Sequence, residues 1–233
     1  IAYGKLANAG QTCIAPDYVI VQRDNADTFV TKYQDAVATL YPEGPSSKNY
    51  TSIINSHHLT RLRHLIDDAR KKGGRVIELP PDALPRVGDR KLAPSVILDV
   101  TDDMAVMQEE VFGPILPIVT YDEIDDAIAF INRRPRPLAL YYFGSNTEER
   151  RKVLERTTSG NVTINDTLMH YVQTDLPFGG VGASGMGAYH GPEGFRSFSH
   201  ARGVFAQSRW NLGGWLRPPF SRISEVATRY LMW

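Results

Sequence analysis

The sequence contains a single cysteine, no excess of either charge and no long apolar run. One cysteine cannot form an intrachain disulfide, and cysteine-poor chains of this kind are typical of the cytoplasm. The 26 basic and 26 acidic residues cancel, which argues against a nucleic acid or an anionic membrane as a partner. Every apolar run is shorter than the roughly 18 residues of a transmembrane helix. We therefore expect a cytoplasmic protein that binds no nucleic acid.

The length of the chain limits the number of domains, and its first residues indicate whether it is a fragment. Its 233 residues, of which 42% are hydrophobic, suffice for one large domain or two small ones and exclude a disordered chain. Residues 1–9 have the pattern of a helix already in progress. The sequence begins without Met and without a basic-then-apolar signal pattern. These features predict a fragment or a processed chain.

Runs of β-branched residues alternate with stretches that have helical spacing of apolar residues. Strands are predicted at residues 18–21, 75–78, 115–120, 138–143 and 161–164, and helices at residues 24–41, 56–73, 122–132 and 146–156. An extended stretch over residues 91–100 contains Pro94, which favours an edge or irregular position. The alternation predicts an α/β fold in which a mostly parallel sheet is flanked by helices.

Cys13 is the first candidate for chemistry. It lies in Asn8-Ala-Gly-Gln-Thr-Cys-Ile-Ala-Pro16, between a predicted helix end and a strand. A thiol is a nucleophile only as the thiolate, so it needs an accessible, electropositive setting. Free backbone N–H groups at such a turn could stabilise an anion on an attacked carbonyl. A buried, inert cysteine is the alternative that composition alone favours.

The segment Glu109-Glu-Val-Phe-Gly-Pro114 is the second candidate. Either carboxylate could act as a general base or accept hydrogen bonds from a ribose diol. The alternative is a solvated loop acid beside a core Phe.

Two other patterns carry no site. Gly180–Gly185 matches the letters of the dinucleotide fingerprint, but no strand leads into it and no acidic residue follows about 20 positions later, so we reject a Rossmann loop. His57, His58 and His64 share a predicted helix without an acid to complete a ligand set, so no metal site is expected.

Four motifs resemble, in the same order, those of the aldehyde dehydrogenase superfamily. They are Gly10-Gln-Thr-Cys13, Glu109-Glu-Val-Phe-Gly-Pro114, Gly160-Asn-Val-Thr-Ile-Asn165 and Pro177-Phe-Gly-Gly-Val-Gly-Ala-Ser-Gly-Met-Gly187. The resemblance extends over about residues 7–207. Cys13–Tyr18 and Ser184–Gly191 are similar to the class 3 branch and to bacterial coniferyl aldehyde dehydrogenases.

The resemblance implies a role for each motif. Cys13 matches the nucleophile that forms a thiohemiacetal with an aldehyde, aromatic in the coniferyl branch. NAD or NADP then takes a hydride, and water hydrolyses the thioester to a carboxylic acid. Glu110 matches the carboxylate that holds the ribose next to the nicotinamide, and Phe112 the aromatic residue beside it. Phe178 matches a wall of the substrate tunnel.

Parts of the family pattern are missing from this sequence. In the family the general-base Glu, the oxyanion-hole Asn and the pyrophosphate-binding loop all precede the cysteine. We therefore expect residues 1–207 to be a catalytic domain truncated at its N-terminal side, without the cofactor domain that would be its partner, and the isolated chain to be inactive. Tyr189 stands where many family members have Glu; this marks the class 3 branch, and His190 is a candidate for a related structural role.

The C-terminal part suggests self-association. Family members pair through a strand after the Gly-rich loop, here about residues 202–207, which predicts a homo-oligomer or, in this chain, an exposed edge. Residues 208–233 are predicted to be a tail with a linker at 211–219 and an amphipathic helix at 221–233. Packing on a subunit is the expected role of this helix, and weak membrane contact is the alternative.

Two other functions stay open at this point. The first is a stand-alone cysteine hydrolase or acyl-transfer enzyme, in which one of the six histidines would activate Cys13. The second is a non-catalytic interaction module that docks through the tail.

Overall fold

Strands in the first part of the chain form two sheets with mainly parallel neighbours. The structure is a computed structural model that describes residues 1–79, 90–211 and 213–231. Its larger sheet contains β1 (Val19–Gln22), β2 (Arg75–Glu78), β3 (Ser95–Leu98) and β4 (Ile115–Tyr121) in the order β1-β4-β3-β2. β1 and β3 run parallel to β4, and β2 runs antiparallel to β3. β5 (Ala139–Tyr142) and β6 (Asn161–Ile164) form a separate parallel pair. The predicted α/β class is confirmed.

The described part of the chain contains nine α-helices, and several of those before residue 199 pack on the sheets through apolar faces. The helices are α1 (Ala2–Leu6), α2 (Ala26–Leu40), α3 (Ser56–Lys71), α4 (Ala105–Gln108), α5 (Ile124–Asn132), α6 (Thr147–Arg156), α7 (Met169–Val172), α8 (Gly191–Ser197) and α9 (Arg222–Leu231). The buried face of α3 contains Leu59, Leu62, Leu65, Ile66 and Ala69, a spacing of three and four residues that places them on one side. These side chains join the main hydrophobic core with β3 and β4.

A second, smaller core lies between β5 and the helices that flank it. Ile128 of α5, Leu140 and Tyr142 of β5, and Val153 of α6 are buried together. The Asn146 side chain accepts hydrogen bonds from the N–H groups of Glu148 and Glu149. This interaction caps α6, because the first N–H groups of a helix have no partner within it.

Of the two positions that Pro94 favoured, the irregular one is found and the edge one is wrong. β3 is an inner strand between β2 and β4, and all four of its residues are buried. Pro94 immediately precedes the strand, where its missing N–H costs no ladder bond. Its carbonyl oxygen accepts a hydrogen bond from the Leu79 N–H at 2.8 Å.

The predicted helix over residues 1–9 is too long. α1 ends at Leu6, and the following turn, Ala7–Gly10, contains Asn8 and Ala9 at φ of +52° and +53°. Gly10 continues in the same left-handed region at φ +74°. Three successive left-handed residues cannot continue a right-handed helix, so the segment that leads to Cys13 is not helical.

Gly10 makes a close backbone contact with a distant loop. A Cβ atom added at Gly10 would lie 2.3 Å from the carbonyl oxygen of Gly113. A Cβ atom at Gly113 would in turn lie 2.4 Å from a methyl carbon of Leu62. Only residues without a side chain fit at both positions, so the segment before Cys13 and the segment after Phe112 meet backbone to backbone.

Lys5, on α1, is a buried charge next to this contact. It is 1% exposed, and its Nζ donates to the backbone oxygen of Asp17 at 3.4 Å. Removal from water lowers the pKa of Lys5 to about 8, although the negative charges of Asp17 and Glu110 act to raise it.

The chain divides into two compact units, Ile1–Phe198 and Ser199–Trp233. The strand expected at about Arg202–Gln207 is not formed: residues 201–208 have no regular secondary structure and are exposed. A strand is defined by hydrogen bonds to a neighbour, and the described residues supply none here; pairing with a second subunit stays a prediction.

The tail contains the predicted helix as α9, Arg222–Leu231, and the last two residues of the prediction lie outside the described part. Ile223, Val226 and Tyr230 of this helix are exposed. Within the described ranges, no helix has the length and apolar character needed to cross a bilayer.

We expect Gly10→Ala to lower the free energy of unfolding by about 3 kcal/mol or more, because it adds a steric clash to left-handed strain. Gly73→Ala is the matched control, since Gly73 has φ +92° with no atom within 4 Å of an added Cβ. Strain alone should cost the control about 1 kcal/mol. Urea unfolding of both variants measures the difference, and equal losses would contradict the close contact.

Between about pH 8 and pH 10 we expect the free energy of unfolding to rise. The pKa of Lys5 is about 8 in the folded protein and about 10.4 in an unfolded chain. The unfolded state therefore holds more protons in this window, which makes stability increase with pH. The rise should reach roughly 2 kcal/mol by pH 10. Urea unfolding at successive pH values measures it; a rise that persists in Lys5→Met would assign it to another group.

Candidate active site

Cys13 projects from a turn between α1 and β1. Its side chain is exposed, and the turn is closed by the Ala15 N–H, which donates to the Thr12 carbonyl at 2.9 Å. The alternative of a buried, inert cysteine is therefore wrong. The thiol is accessible, as a nucleophile must be.

Gln11 fixes this turn to a neighbouring loop. Its Nε2 donates to the carbonyl oxygens of Asn8 at 3.0 Å and Ser52 at 3.2 Å. Its Oε1 accepts from the Ile54 N–H at 2.9 Å. An amide uses both ends here, so the residue two positions before Cys13 is held by partners from two segments.

The loop that contains Glu110 and Phe112 is tied to the Cys13 segment by Asp17. The Val111 N–H donates to Asp17 Oδ1 at 2.9 Å. The Arg61 guanidinium, on α3, donates to the carbonyl oxygens of Glu110, at 3.1 Å, and of Val111. Phe112 itself has φ +44°, a conformation that bulky residues rarely adopt. The loop is thus held from both sides in a strained shape.

The two acids of this loop have different surroundings. Glu109 pairs with Arg61 at 3.5 Å. The pKa of Glu110 is raised by partial desolvation of its carboxyl group and by the negative charge of Asp17, while Arg61 and Lys5 act to lower it. Burial likewise raises the pKa of Asp17, against the attraction of Lys5. Both carboxylates of the second motif remain at the surface, where a ligand can reach them.

Cys13 and Glu110 line the same cavity, which has a volume of about 870 Å³. β1 and β5 are each the last strand of their sheet, and residues of both strands line this cavity. The space therefore lies along the outer edges of the two strands. It is large enough for a small organic molecule.

Phe178 lies in an aromatic cluster rather than in the lining of that cavity. The aromatic cluster consists of Tyr141, His170, Tyr171, Phe178, Tyr189 and His190, whose rings contact one another at centroid distances of 4.6–5.8 Å. Phe178 is buried, and its N–H and carbonyl oxygen both pair with Tyr189, at 2.7 and 2.8 Å.

Tyr141 connects the aromatic cluster to the nucleophile. Its hydroxyl donates to the Ile14 carbonyl at 2.6 Å and accepts from the Leu168 N–H at 3.3 Å. Burial raises the pKa of Tyr141 to about 12, and a negative charge on Cys13 acts in the same direction. The phenol is therefore protonated at neutral pH, and it is close enough to Cys13 to respond to the charge of the thiolate.

The predicted site residues thus fall into two connected groups. The first group is Cys13 and Glu110, which line the cavity, together with Phe112, which lies on the same loop as Glu110. The second group is Phe178, which contacts His170; His170 contacts Tyr141, and Tyr141 is bonded to the Cys13 turn. Sequence reasoning missed the roles of Asp17, Arg61 and Tyr141, because their contacts join segments 94, 49 and 127 positions apart. Of these, only Asp17 stands within a quoted motif.

The hydrolase alternative lacks support at Cys13. A cysteine hydrolase needs a base within hydrogen-bond reach of the thiol. Among the residues that the structure describes, no histidine forms a hydrogen bond with Cys13 Sγ. The same part of the chain contains no group of three or more side chains arranged to hold a metal ion.

Comparison with known proteins finds relatives that are named as aldehyde dehydrogenases. The aldehyde dehydrogenase family matches residues 1–204. A probable coniferyl aldehyde dehydrogenase of Pseudomonas aeruginosa is 49% identical over 95% of this chain and 46% of its own length. A coniferyl aldehyde dehydrogenase of Pseudomonas sp. is 52% identical over 88% of this chain and 43% of its own. The mouse dimeric NADP-preferring aldehyde dehydrogenase is 42% identical over 91% and 45%. The chain spans about half the length of the curated relatives it matches.

Solved structures agree with these relatives. The substrate-bound state of Staphylococcus aureus AldH superimposes with a TM-score of 0.87 at 38% identity, covering 99% of this chain and 49% of that one. An NAD-dependent aldehyde dehydrogenase from Sinorhizobium meliloti gives 0.76 at 27% identity, covering 87% and 40%. From the family match over residues 1–204 and these relatives, the chain belongs to the aldehyde dehydrogenase family, in its class 3 and coniferyl aldehyde dehydrogenase-like branch.

Proposed function

We propose that this chain is the catalytic-domain portion of an NAD- or NADP-dependent aldehyde dehydrogenase of the cytoplasm. In this proposal residues 1–207 form the catalytic domain and residues 208–233 a tail. One observation carries it: the exposed Cys13 turn is packed, through Gly10 and Gly113, directly against the loop that contains Glu110 and Phe112. Cys13 and Glu110, which we propose as the nucleophile and the ribose-binding carboxylate, both line one cavity.

Cys13 begins the reaction. Its sulfur attacks the aldehyde carbon, the carbonyl π bond breaks, and the thiol proton ends on the oxygen, which gives a thiohemiacetal. A bound NAD or NADP would supply the acceptor for the hydride of this carbon, and the hydroxyl proton is released to solvent as the thioester forms. Hydrolysis of the resulting thioester by water returns the thiol and releases a carboxylic acid. A thiolate suits both steps because it is a strong nucleophile and a good leaving group.

The described residues fit one end of such a cofactor. The Glu110 carboxylate borders the cavity and can accept hydrogen bonds from a ribose diol. Phe112, on the same loop, is 37% exposed, so its ring is free to contact a ligand. In contrast, Gly182–Ser184 forms a tight turn in which Ser184 Oγ accepts from the Val181 N–H at 2.9 Å. This loop uses its polar groups internally and does not offer a pyrophosphate cradle.

An aromatic aldehyde is the substrate class that the aromatic cluster favours. The rings of Tyr171 and Tyr189, which pack on the buried Phe178, are exposed, and ring faces and edges pair well with a flat ligand. The names of the two Pseudomonas relatives refer to coniferyl aldehyde, an aromatic aldehyde, and support the same class here.

A second copy of the chain is the expected partner of the C-terminal part. Val204 and Phe205 are exposed apolar residues in a segment without regular structure. Apolar side chains of this kind are usually covered when a protein associates. The dimeric state named for the mouse relative agrees with such an interface.

We expect the 233 residues alone to show no oxidation of benzaldehyde with NAD or NADP. Correct positioning of hydride donor and acceptor supplies about 7–11 kcal/mol of such a barrier, and Glu110 and Phe112 contact only one end of the cofactor. General-base assistance adds typically 10²–10⁴-fold, yet no described side chain forms a hydrogen bond with the Cys13 thiol.

The test follows the absorbance of the reduced cofactor, with iodoacetamide labelling of Cys13 as a control for an accessible thiol. Steady turnover that disappears in Cys13→Ala would overturn this expectation and require a complete cofactor site within these residues.

In the complete enzyme proposed here, Glu110→Gln should raise KM for the cofactor about tenfold, because it weakens a charge-assisted hydrogen bond to the ribose. Glu109→Gln is the matched control: it removes the adjacent charge, which pairs with Arg61. Initial rates at varied cofactor concentration measure both. Equal effects of the two substitutions would show that the ribose is held elsewhere.

A further inference from the structure

A buried histidine in the aromatic cluster has a ring nitrogen without a partner. His170, on α7, is 4% exposed. Its Nδ1 lies 2.7 Å from Thr163 Oγ1 on β6, while its Nε2 is buried and forms no hydrogen bond with any residue in the described ranges. Buried polar atoms are nearly always hydrogen-bonded, because leaving one unpaired costs free energy. The free Nε2 therefore indicates a place for a ligand atom.

The position of His170 connects it with the nucleophile. Its ring stacks on Phe178 at 5.8 Å and 15°, and it contacts the ring of Tyr141 at 5.8 Å. The Tyr141 hydroxyl donates to the carbonyl of Ile14, the residue after Cys13. Two side-chain contacts thus separate the free nitrogen from the turn that presents the thiol.

The aromatic cluster also reaches the protein surface. Tyr171 and Tyr189 are 48% and 46% exposed, and both rings contact Phe178 edge to face. Contacts between a flat ligand and these rings can replace the contacts between the tyrosines and Phe178 at little cost in free energy. The cluster is therefore a largely apolar surface for a ring, and it contains two buried ring nitrogens without a hydrogen bond, His170 Nε2 and His190 Nδ1. Of the two histidines, His170 is the one whose ring contacts Tyr141.

We propose that His170 is a specificity-determining residue of the aldehyde pocket, whose Nε2 hydrogen-bonds a hydroxyl group on an aromatic substrate. This inference rests on the proposed function, in which an aromatic aldehyde binds to Cys13 and its ring contacts the aromatic cluster. It adds to that function a preference for a substrate with a hydroxyl substituent, and it names the residue that selects this substituent.

The chemistry of the imidazole explains why the substituent is a hydroxyl. Burial lowers the pKa of His170, so the ring is neutral at neutral pH and offers little to a carboxylate. Thr163 can donate to Nδ1 or accept from it, which leaves Nε2 as an N–H donor or a lone-pair acceptor respectively. A hydroxyl group satisfies either state. An apolar substituent of the same size leaves Nε2 unpaired, and sites of this kind discriminate against such analogues.

Reversible addition of Cys13 to an aldehyde provides the test on the chain itself. The addition forms the carbon–sulfur bond, transfers the thiol proton to oxygen and needs no further reactant. It blocks alkylation by iodoacetamide, which mass spectrometry quantifies at Cys13. The measurement is the concentration for half-protection by 3- and 4-hydroxybenzaldehyde and by their 3- and 4-methyl analogues. Each value is divided by that for N-acetylcysteine, which removes differences in the intrinsic reactivity of the aldehydes.

We expect at least one hydroxy isomer to protect Cys13 at a roughly fivefold or more lower concentration than its methyl analogue. His170→Phe and His170→Gln should remove this preference and leave protection by the methyl compounds in place. His57→Phe changes an exposed histidine on α3 and should keep it. Thermal unfolding by circular dichroism establishes that each variant is folded.

The outcomes separate this inference from the proposed function. Equal protection by hydroxy and methyl compounds in the unaltered chain overturns the role of His170. This outcome is observed without any variant, and it is compatible with Cys13 as an aldehyde-binding nucleophile. A preference that persists in a folded His170 variant also overturns it. Failure of every aldehyde to protect Cys13 overturns the proposed function, and this inference with it.

Discussion

The contact between Gly10 and Gly113 is the constraint on which the site depends. Each glycine occupies a position where a Cβ atom would collide with backbone or with Leu62. The turn that carries Cys13 follows Gly10 directly, and the loop that carries Glu110 and Phe112 ends at Gly113. Because the two backbones touch, the main chain fixes the relative position of the segments that carry the nucleophile and the carboxylate.

Buried charges reinforce this contact. Lys5 donates to the backbone of Asp17, and Asp17 accepts from the Val111 N–H. Arg61 donates to the carbonyl oxygens of Glu110 and Val111 in the same loop. Charged groups removed from water are costly unless they are paired, so these three charged residues stabilise one arrangement of the two segments. Burial of the Lys5 charge lowers the stability of the fold, and in return its hydrogen bond helps to hold the Cys13 segment in place.

The sequence predicts the α/β class and most elements, because apolar spacing and β-branched runs report local structure. The ordered motifs also single out Cys13 and Glu110 as candidate site residues before any coordinates. Other features depend on partners far along the chain or outside it. Asn8 and Ala9 follow α1 in a left-handed turn, which Asn tolerates and Ala disfavours. Pro94 begins an inner strand because its missing N–H falls just outside the ladder. The stretch 202–207 has no strand partner in the described chain. The free nitrogen of His170 results from the packing of three separate segments, which no local pattern encodes.

The central claim is that Cys13 carries the acyl group during aldehyde oxidation. Mass spectrometry of the complete enzyme, quenched in acid during turnover of an aromatic aldehyde with NAD or NADP, tests it most directly. The account predicts a peptide containing Cys13 with the mass of the acyl group added, as a thioester that hydroxylamine removes. An acyl group on another residue, or turnover that continues in Cys13→Ala, would contradict it.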